Sequence, residues 1–391
     1  MIDLQRVRRD TPGTRSKRAH LHNAGAALMP TPVIDTIKRH IDLEARIGGY
    51  AAAAREADRH ARVYASVAKL LNAAPEEIAV TENATVAWQM AFYSLTFKPG
   101  ERILTAEAEY GANYVAFLQM AKRTGAVIEV VPSNEAGELD TGALERMIDR
   151  RTRLIAVTWV PTNGGLTNPA AAIGKIARKH GITYLLDACQ AVGQMEVDVQ
   201  ALGCDMLSAT GRKFLRGPRG TGFLYIKRDL LRRLEPPMID HFAAPWVARD
   251  RYELRDDARR FENWENNYAG HFGLGAAVDY ALAIGMKNIE KRSRMLANRL
   301  RAGLRKIKGI TVRDLGRNPS AIVSFTIDGH DSFAVVKKAD RAGITIGASD
   351  PESTLIDAEK RGLPVLVRAS PHYYNSEAEI DRLIDFCATM K

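Results

Sequence analysis

Between about residues 77 and 227, short β-rich apolar runs alternate with stretches of helical period, and few folds accommodate that order. The runs are Ile78 to Thr81, Arg102 to Ala106, Val127 to Val131, Leu154 to Val160, Ile182 to Asp187 and Met206 to Thr210. Strand and helix in turn predict an α/β fold: a three-layer arrangement with a mostly parallel sheet covered on both faces. Gly220 to Lys227 reads as one more strand, with Gly222 helping the turn into it. After about residue 285 the pattern changes to a long charged helix, strands near Ile310 to Leu315, Ala321 to Ile327 and Val365 to Arg368, and a final helix from about Ser376. The expected organisation is an N-terminal segment over 1–30, a large domain over 31–284 and a smaller α+β domain over 285–391, joined by the N-terminal segment.

Composition narrows the class. With 391 residues, 46% hydrophobic and 26% charged, the chain can bury one or two ordinary cores and has neither the charge excess of disorder nor the apolar excess of a membrane protein. The basic first twenty residues are followed by no apolar stretch long enough for a signal peptide or membrane helix, so a cytoplasmic protein without a membrane partner is expected. Cys189, Cys204 and Cys387 have no metal-ligand spacing and mostly apolar neighbours, as reduced thiols do, so no metal and no disulfide is expected. The net charge of +10 is spread among acidic residues along amphipathic stretches such as 288–308, which describes solvated helix faces rather than a nucleic-acid surface.

In open α/β sheets, ligands lie at the carboxyl ends of the strands. Lys213 follows one strand end and precedes a glycine-rich turn, in Ser208-Ala-Thr-Gly-Arg-Lys213-Phe-Leu-Arg-Gly-Pro-Arg-Gly-Thr-Gly222. Burial and neighbouring cations would lower its pKa, which an amine needs in order to condense with an aldehyde near neutral pH. Thr210 and Arg212 are each able to reach a phosphate, and a plain anion-binding loop without an imine is the alternative. One strand earlier, Tyr184-Leu-Leu-Asp187-Ala-Cys-Gln190 places an acid where a buried strand ends. A carboxylate there needs a cationic partner, such as a protonated pyridine nitrogen, unless it only caps the next helix.

Asp187-Ala-Cys-Gln190, then Gly211-Arg-Lys213 and Gly217-Pro-Arg-Gly-Thr-Gly222, resembles the cofactor signature of the class V aminotransferase superfamily. That group includes cysteine desulfurases, isopenicillin N epimerase-like proteins and the sulfoxide lyase of ergothioneine biosynthesis, and the resemblance covers nearly the whole chain. It implies pyridoxal phosphate held as an imine on Lys213, Asp187 as partner of the ring nitrogen and Gln190 as a contact to the ring hydroxyl. Thr81-Glu-Asn-Ala-Thr85 stands where the family cradles the phosphate on a helix N-terminus, which marks Ala84 and Thr85. In Glu109-Tyr110-Gly-Ala-Asn113 the tyrosine occupies the position of the aromatic stacked on the ring, where desulfurases have histidine; a core aromatic is the alternative. Pro161-Thr-Asn163 resembles the loop beside the ring hydroxyl, although a turn asparagine would look the same. Val367-Arg368-Ala-Ser-Pro-His372-Tyr-Tyr-Asn375 matches the late segment in which an arginine binds the substrate carboxylate through two parallel hydrogen bonds.

Two departures shape the expected reaction. A desulfurase needs a nucleophilic cysteine on a loop ahead of the carboxylate arginine, and Gly343 through Leu366 contains none; Tyr110 in place of histidine also removes a proton carrier from the ring face. The expectation is therefore a lyase or aminotransferase and not a cysteine desulfurase. In addition, Glu265 falls where the family offers a threonine to the cofactor phosphate of a neighbouring subunit, and a homodimer is still expected. Ile47-Gly-Gly-Tyr50, Glu109-Tyr110-Gly, Arg212-Lys213 and Pro319-Ser-Ala-Ile322 look nearest the ergothioneine sulfoxide lyase branch. That implies a C–S lyase with His22, Asn23 and Tyr50 on the substrate side. Amine transfer to a keto acid and epimerisation, with Tyr110 or His372 as a second acid, share its first step. A non-catalytic, nucleic-acid-binding regulator would require a recognition helix or concentrated basic patch that the sequence does not display.

Overall fold

The structure, a computed structural model, describes residues 2–390. Seven strands form the main sheet: β1 (Ile78–Thr81), β2 (Arg102–Ala106), β3 (Val127–Val131), β4 (Thr152–Thr158), β5 (Thr183–Asp187), β6 (Met206–Thr210) and β7 (Gly222–Ile226). Their order is β1-β7-β6-β5-β4-β2-β3, parallel except for β7, which runs antiparallel to both β1 and β6. Four further strands, β8 (Ile310–Val312), β9 (Val323–Ile327), β10 (Gly347–Ser349) and β11 (Leu366–Ala369), form a second, antiparallel sheet in the order β8-β9-β11-β10. The α/β expectation with a smaller C-terminal α+β part is met.

The period of two that marks the central strands sorts their side chains onto opposite faces. Ala156, Leu185, Met206 and Leu224 pack with Trp88, Phe92 and Phe117 of helices α1 (Ala84–Tyr93) and α2 (Gly111–Thr124). Val157, Leu186, Leu207 and Phe223 point the other way, into a core shared with α3 (Ala170–His180) and α4 (Tyr268–Ile284). That core continues into the second sheet through α5 (Met286–Leu304) and α6 (Glu377–Ala388).

Two differences from the sequence reading have simple causes. β4 begins at Thr152, ahead of the expected Leu154, because its first residues are polar: Thr152 is buried with its Oγ1 accepting from the Asp149 N–H at 3.1 Å. β10 was not expected, since Gly347-Ala-Ser349 has neither β-branched nor aromatic residues. The N-terminal segment bridges the two sheets. Ala19–His20 pairs in parallel with Ile344–Thr345, His22 bridges to Ser370, and the Ala27 N–H donates to Arg212 O at 2.9 Å. No helix among the described residues is long and apolar enough to cross a membrane.

Candidate active site

The carboxyl ends of β1, β5 and β6 open into a cavity of about 400 Å³ whose lining includes Ala84, Thr85, Tyr110, Asp187, Cys189, Thr210, Arg212 and Lys213. A larger cleft, about 950 Å³, lies at the opposite, amino ends of β4 and β5. None of its lining residues carries an unpaired buried polar atom, whereas Gln190 Oε1 and Arg368 Nε, whose side chains meet at Thr162 Oγ1, are buried without partners, as is His22 Nδ1. Buried polar groups are ordinarily hydrogen-bonded, so such a concentration marks a place built for a ligand.

Helix α1 supplies the anion end. Asn83 caps it by accepting from the Val86 N–H at 3.0 Å, which leaves the Ala84 and Thr85 N–H groups without intrahelical acceptors and aimed outward at the positive end of the helix. The sheet can approach this end because β7 begins with glycine. Gly222 pairs with both Thr81 and Thr210, and a Cβ there would stand 2.5 Å from Asn83 C and 2.8 Å from Ala84 N. Gly222→Ala is expected to push the helix start outward at a cost of about 1–3 kcal/mol. A titration with pyridoxal phosphate followed by absorbance should show weakened binding; unchanged affinity would mean that this approach is not needed.

The acid end is more elaborate than the sequence indicates. Asp187 Oδ1 accepts the Cys189 N–H at 2.9 Å and Oδ2 accepts Asn113 Nδ2 at 2.9 Å. Asn113 Nδ2 also donates to Glu109 Oε1 at 2.8 Å, and Glu109 takes further hydrogen bonds from the Tyr110 and Thr158 N–H groups and from the Thr105 and Thr158 hydroxyls. Burial pushes the Asp187 carboxyl up, opposed by Asn113, the Cys189 N–H and the charge of Lys213. Burial likewise raises Glu109 to about 7. Two buried acids joined by one amide call for a nearby cation, which a protonated pyridine ring would be.

Lys213 is partly buried beside Asp187 and Cys189, and burial, reinforced by Arg212 and Arg368, lowers its pKa. The Cys189 thiol lies against this amine; burial pushes its pKa up, and the Lys213 charge opposes the push. Arg368 on β11 donates from Nη1 to Thr162 O at 3.0 Å and to Thr162 Oγ1 at 2.6 Å, leaving Nε free. Burial brings its pKa down to about 10, still far above neutrality. Gln190 Nε2 reaches Thr162 Oγ1 at 3.3 Å and Ala24 O at 3.2 Å, with its Oε1 unpaired. His22 is held near pH 4 by burial and the nearby arginines, so its ring is neutral at physiological pH.

Several residues assigned from sequence stand elsewhere. Tyr50 is 79% exposed and lines a shallow pocket with Trp264 and Glu265, outside the lysine cavity. Asn23 is consumed by Ser370 O at 2.7 Å and by the Tyr374 hydroxyl. His372 is spent on Phe214 O at 2.6 Å and Ser293 Oγ at 3.2 Å, so neither it nor Asn23 has an atom left for substrate, and His372 is not placed to act as a second acid. Asn163 donates to Thr354 Oγ1 at 2.8 Å and Asp350 O at 3.2 Å and accepts from Ser349, tying down the loop after β10. Conversely, Glu109, Asn113, Thr158, Thr162 and Cys189 were not singled out. The only advance signal was an acid and an amide flanking the start of α2, Glu109 just ahead of it and Asn113 in its first turn.

A buried lysine, a buried acid and an anion-ready helix start at one edge of this sheet define an α/β enzyme of the pyridoxal phosphate-binding kind. The chain matches the family described as aminotransferase class-V over residues 19–383 and belongs to it, and its cofactor is pyridoxal phosphate. A probable cysteine desulfurase of Methanothermobacter thermautotrophicus is 34% identical over 385 residues, spanning 96% of this chain and 95% of the relative. The apo structure of a cysteine desulfurase from Thermococcus onnurineus NA1 superposes with a TM-score of 0.91 at 28% identity, covering 100% of this chain and 98% of that one. A C-DES mutant with glycine covalently linked to its pyridoxal phosphate shares the fold, with a TM-score of 0.88 at 23% identity over 97% of this chain and 98% of that one.

These relatives overturn the expectation that excluded cysteine desulfurases. Full-length similarity at 34% to a probable desulfurase puts that activity back among those the chain's relatives carry. The inference from Gly343–Leu366 failed because a missing cysteine there removes one location for a thiol, not the need or the means to supply one; Cys189 places a thiol inside the cavity itself.

Proposed function

We propose that this enzyme cleaves the carbon–sulfur bond of cysteine or an S-substituted cysteine, expelling the sulfur group from the β-carbon. The observation that carries this reading is the Lys213 amine, its pKa lowered by burial, in a cavity with Asp187 and Cys189 at the sheet's carboxyl edge. When bound, pyridoxal phosphate supplies an electron sink for negative charge at the substrate α-carbon. Ala84 and Thr85, with Thr210 and Arg212, would hold its phosphate; Asp187 would pair with its ring nitrogen, Tyr110 would pack on the ring and Gln190 would meet the ring hydroxyl. Arg368 binds the substrate carboxylate through the free Nε together with Nη2, since Nη1 is held by Thr162. Lys213, whose pKa burial lowers, takes the proton from the α-carbon and returns it where the reaction requires.

The resemblance at Glu109-Tyr110-Gly and Arg212-Lys213, whose Tyr110, Arg212 and Lys213 line the cavity, makes S-substituted cysteines, cysteine sulfoxides among them, candidate substrates. A second reading, transfer of sulfur to a protein thiol, is favoured by the desulfurase relatives and by the place of Cys189. We also infer a homodimer, since Ile41, Ile47, Tyr50 and Trp264 are large apolar residues left exposed on one chain. Incubation with L-cysteine and S-substituted cysteines tests the reaction: pyruvate and ammonia indicate elimination, alanine and bound persulfide indicate transfer, and amine transfer or racemisation without loss of sulfur would sink the proposal. Arg368→Gln is expected to lower kcat/KM for the amino acid by about 10- to 100-fold, as removal of a charge-assisted hydrogen-bond pair does. An unaltered KM would place the carboxylate elsewhere.

A further inference from the structure

Lys213 and Arg368 stand on different sheets, so non-covalent contacts set the distance between them. The lysine opens a tight turn closed by the Arg216 N–H donating to Lys213 O at 2.9 Å. Arg216 has φ +63°, in the left-handed region that a side chain disfavours, and among the described residues only Asn72 shares this without being glycine. Its side chain is 1% exposed and has no carboxylate partner among the described ion pairs. Nε donates to Leu28 O at 2.8 Å, Nη1 to Tyr373 Oη at 2.7 Å and Nη2 to Thr11 Oγ1 at 2.5 Å. The guanidinium carbon lies 4.4 Å from the Tyr374 ring centre, 5.1 Å from that of Tyr373 and 5.8 Å from that of Tyr280. One residue into the same turn, Phe214 O receives His372 Nε2.

A left-handed backbone and a buried cation without a counter-ion are both unfavourable, and they persist where surrounding structure holds them. Apart from the Tyr280 ring, the partners of the Arg216 side chain and of the Phe214 carbonyl are residues 372–374, just beyond Arg368, or lie in the N-terminal segment. We propose that Arg216 is a positioning residue: its clamp on Tyr373, Tyr374, Leu28 and Thr11 fixes the separation of the Lys213 amine from the Arg368 guanidinium, and thereby restricts substrates to those with amine and carboxylate on one carbon. The inference rests on the roles given to Lys213 and Arg368 above. Lysine at 216 would keep the charge but lacks the fork that reaches three acceptors at once.

The test is to titrate the pyridoxal phosphate-loaded protein with L-alanine, β-alanine and ethylamine, following the shift of the visible band, in wild type, Arg216→Lys and Tyr373→Phe. Wild type should prefer L-alanine over both others. Arg216→Lys should weaken L-alanine by about 10- to 100-fold, the scale of an ångström's misplacement, while ethylamine is unchanged and the preference over β-alanine shrinks. Tyr373→Phe, which removes one acceptor and keeps the ring, should move the same ratios a few-fold and carries the test if the lysine variant does not fold. Equal changes for all three ligands, or none, would overturn the clamp. A wild type indifferent to the carboxylate would instead overturn the role of Arg368.

Discussion

Lys213→Ala should abolish the visible absorbance that pyridoxal phosphate shows as an imine on the protein and lower turnover by about 10²–10⁴-fold or more, the contribution of a positioned acid–base group. The lysine is asked to do two things at one place. It must offer an unprotonated amine to an aldehyde, and it must later accept the α-proton, and burial beside Arg212 and Arg368 lowers its pKa toward both tasks. Alanine removes both capacities without introducing bulk. The proposed phosphate site at Ala84, Thr85 and Thr210 is untouched, so the variant should still take up the cofactor, now absorbing as a free aldehyde. A retained imine band would mean that another amine holds the cofactor, and the assignment of Lys213 would fall. Supplying a small amine such as methylamine in solution should recover part of the lost proton transfer, because the space vacated by the side chain opens into the cavity.

Much of this frame was legible in the sequence for physical reasons that can be named. The strands announce themselves as apolar runs of the right length, and β1, β2, β3 and β6 begin and end where those runs do. Lys213 and Asp187 were visible because a charged residue at the end of such a run, or within a few residues beyond it, has few ordinary explanations. What stayed hidden depends on partners far along the chain. Asn163 looks like a ring contact by its loop, yet its amide is used by Ser349 and Thr354, nearly two hundred residues later. His372 looks like a site histidine, yet both nitrogens are consumed by Phe214 and Ser293. Tyr50 is carried by a helix that faces away from the cavity of its own chain. Glu109 and Asn113 were passed over because an acid and an amide at a helix start usually cap it, and only the fold brings Asp187 to the other side of that amide.

The second large effect is expected at Asp187. Its two oxygens receive the Cys189 N–H and Asn113 Nδ2, which are neutral donors that orient the carboxylate but do not balance its charge. Burial works against the ionised form, and even with the Lys213 charge nearby the acid is raised above its ordinary pKa. A protonated ring nitrogen supplies the missing charge, and the two then stabilise each other. Removing one member of such a buried pair costs about 3–5 kcal/mol. At 1.36 kcal/mol per decade, Asp187→Ala should lower kcat by about two to nearly four orders of magnitude while Lys213 still forms its imine. A loss of that kind has a bland alternative, since the carboxylate also accepts the Cys189 N–H and helps hold the turn after β5. Reconstituting Asp187→Ala with N-methylpyridoxal phosphate, whose ring carries a fixed positive charge and whose methyl group fits the space left by the carboxylate, separates the two. Recovery of at least a tenth of the lost logarithmic rate, with no change in thermal stability, assigns the effect to ring charge. No recovery with either cofactor would reduce Asp187 to a residue that shapes the loop, and the electron sink would then have to be maintained by some other group in the cavity.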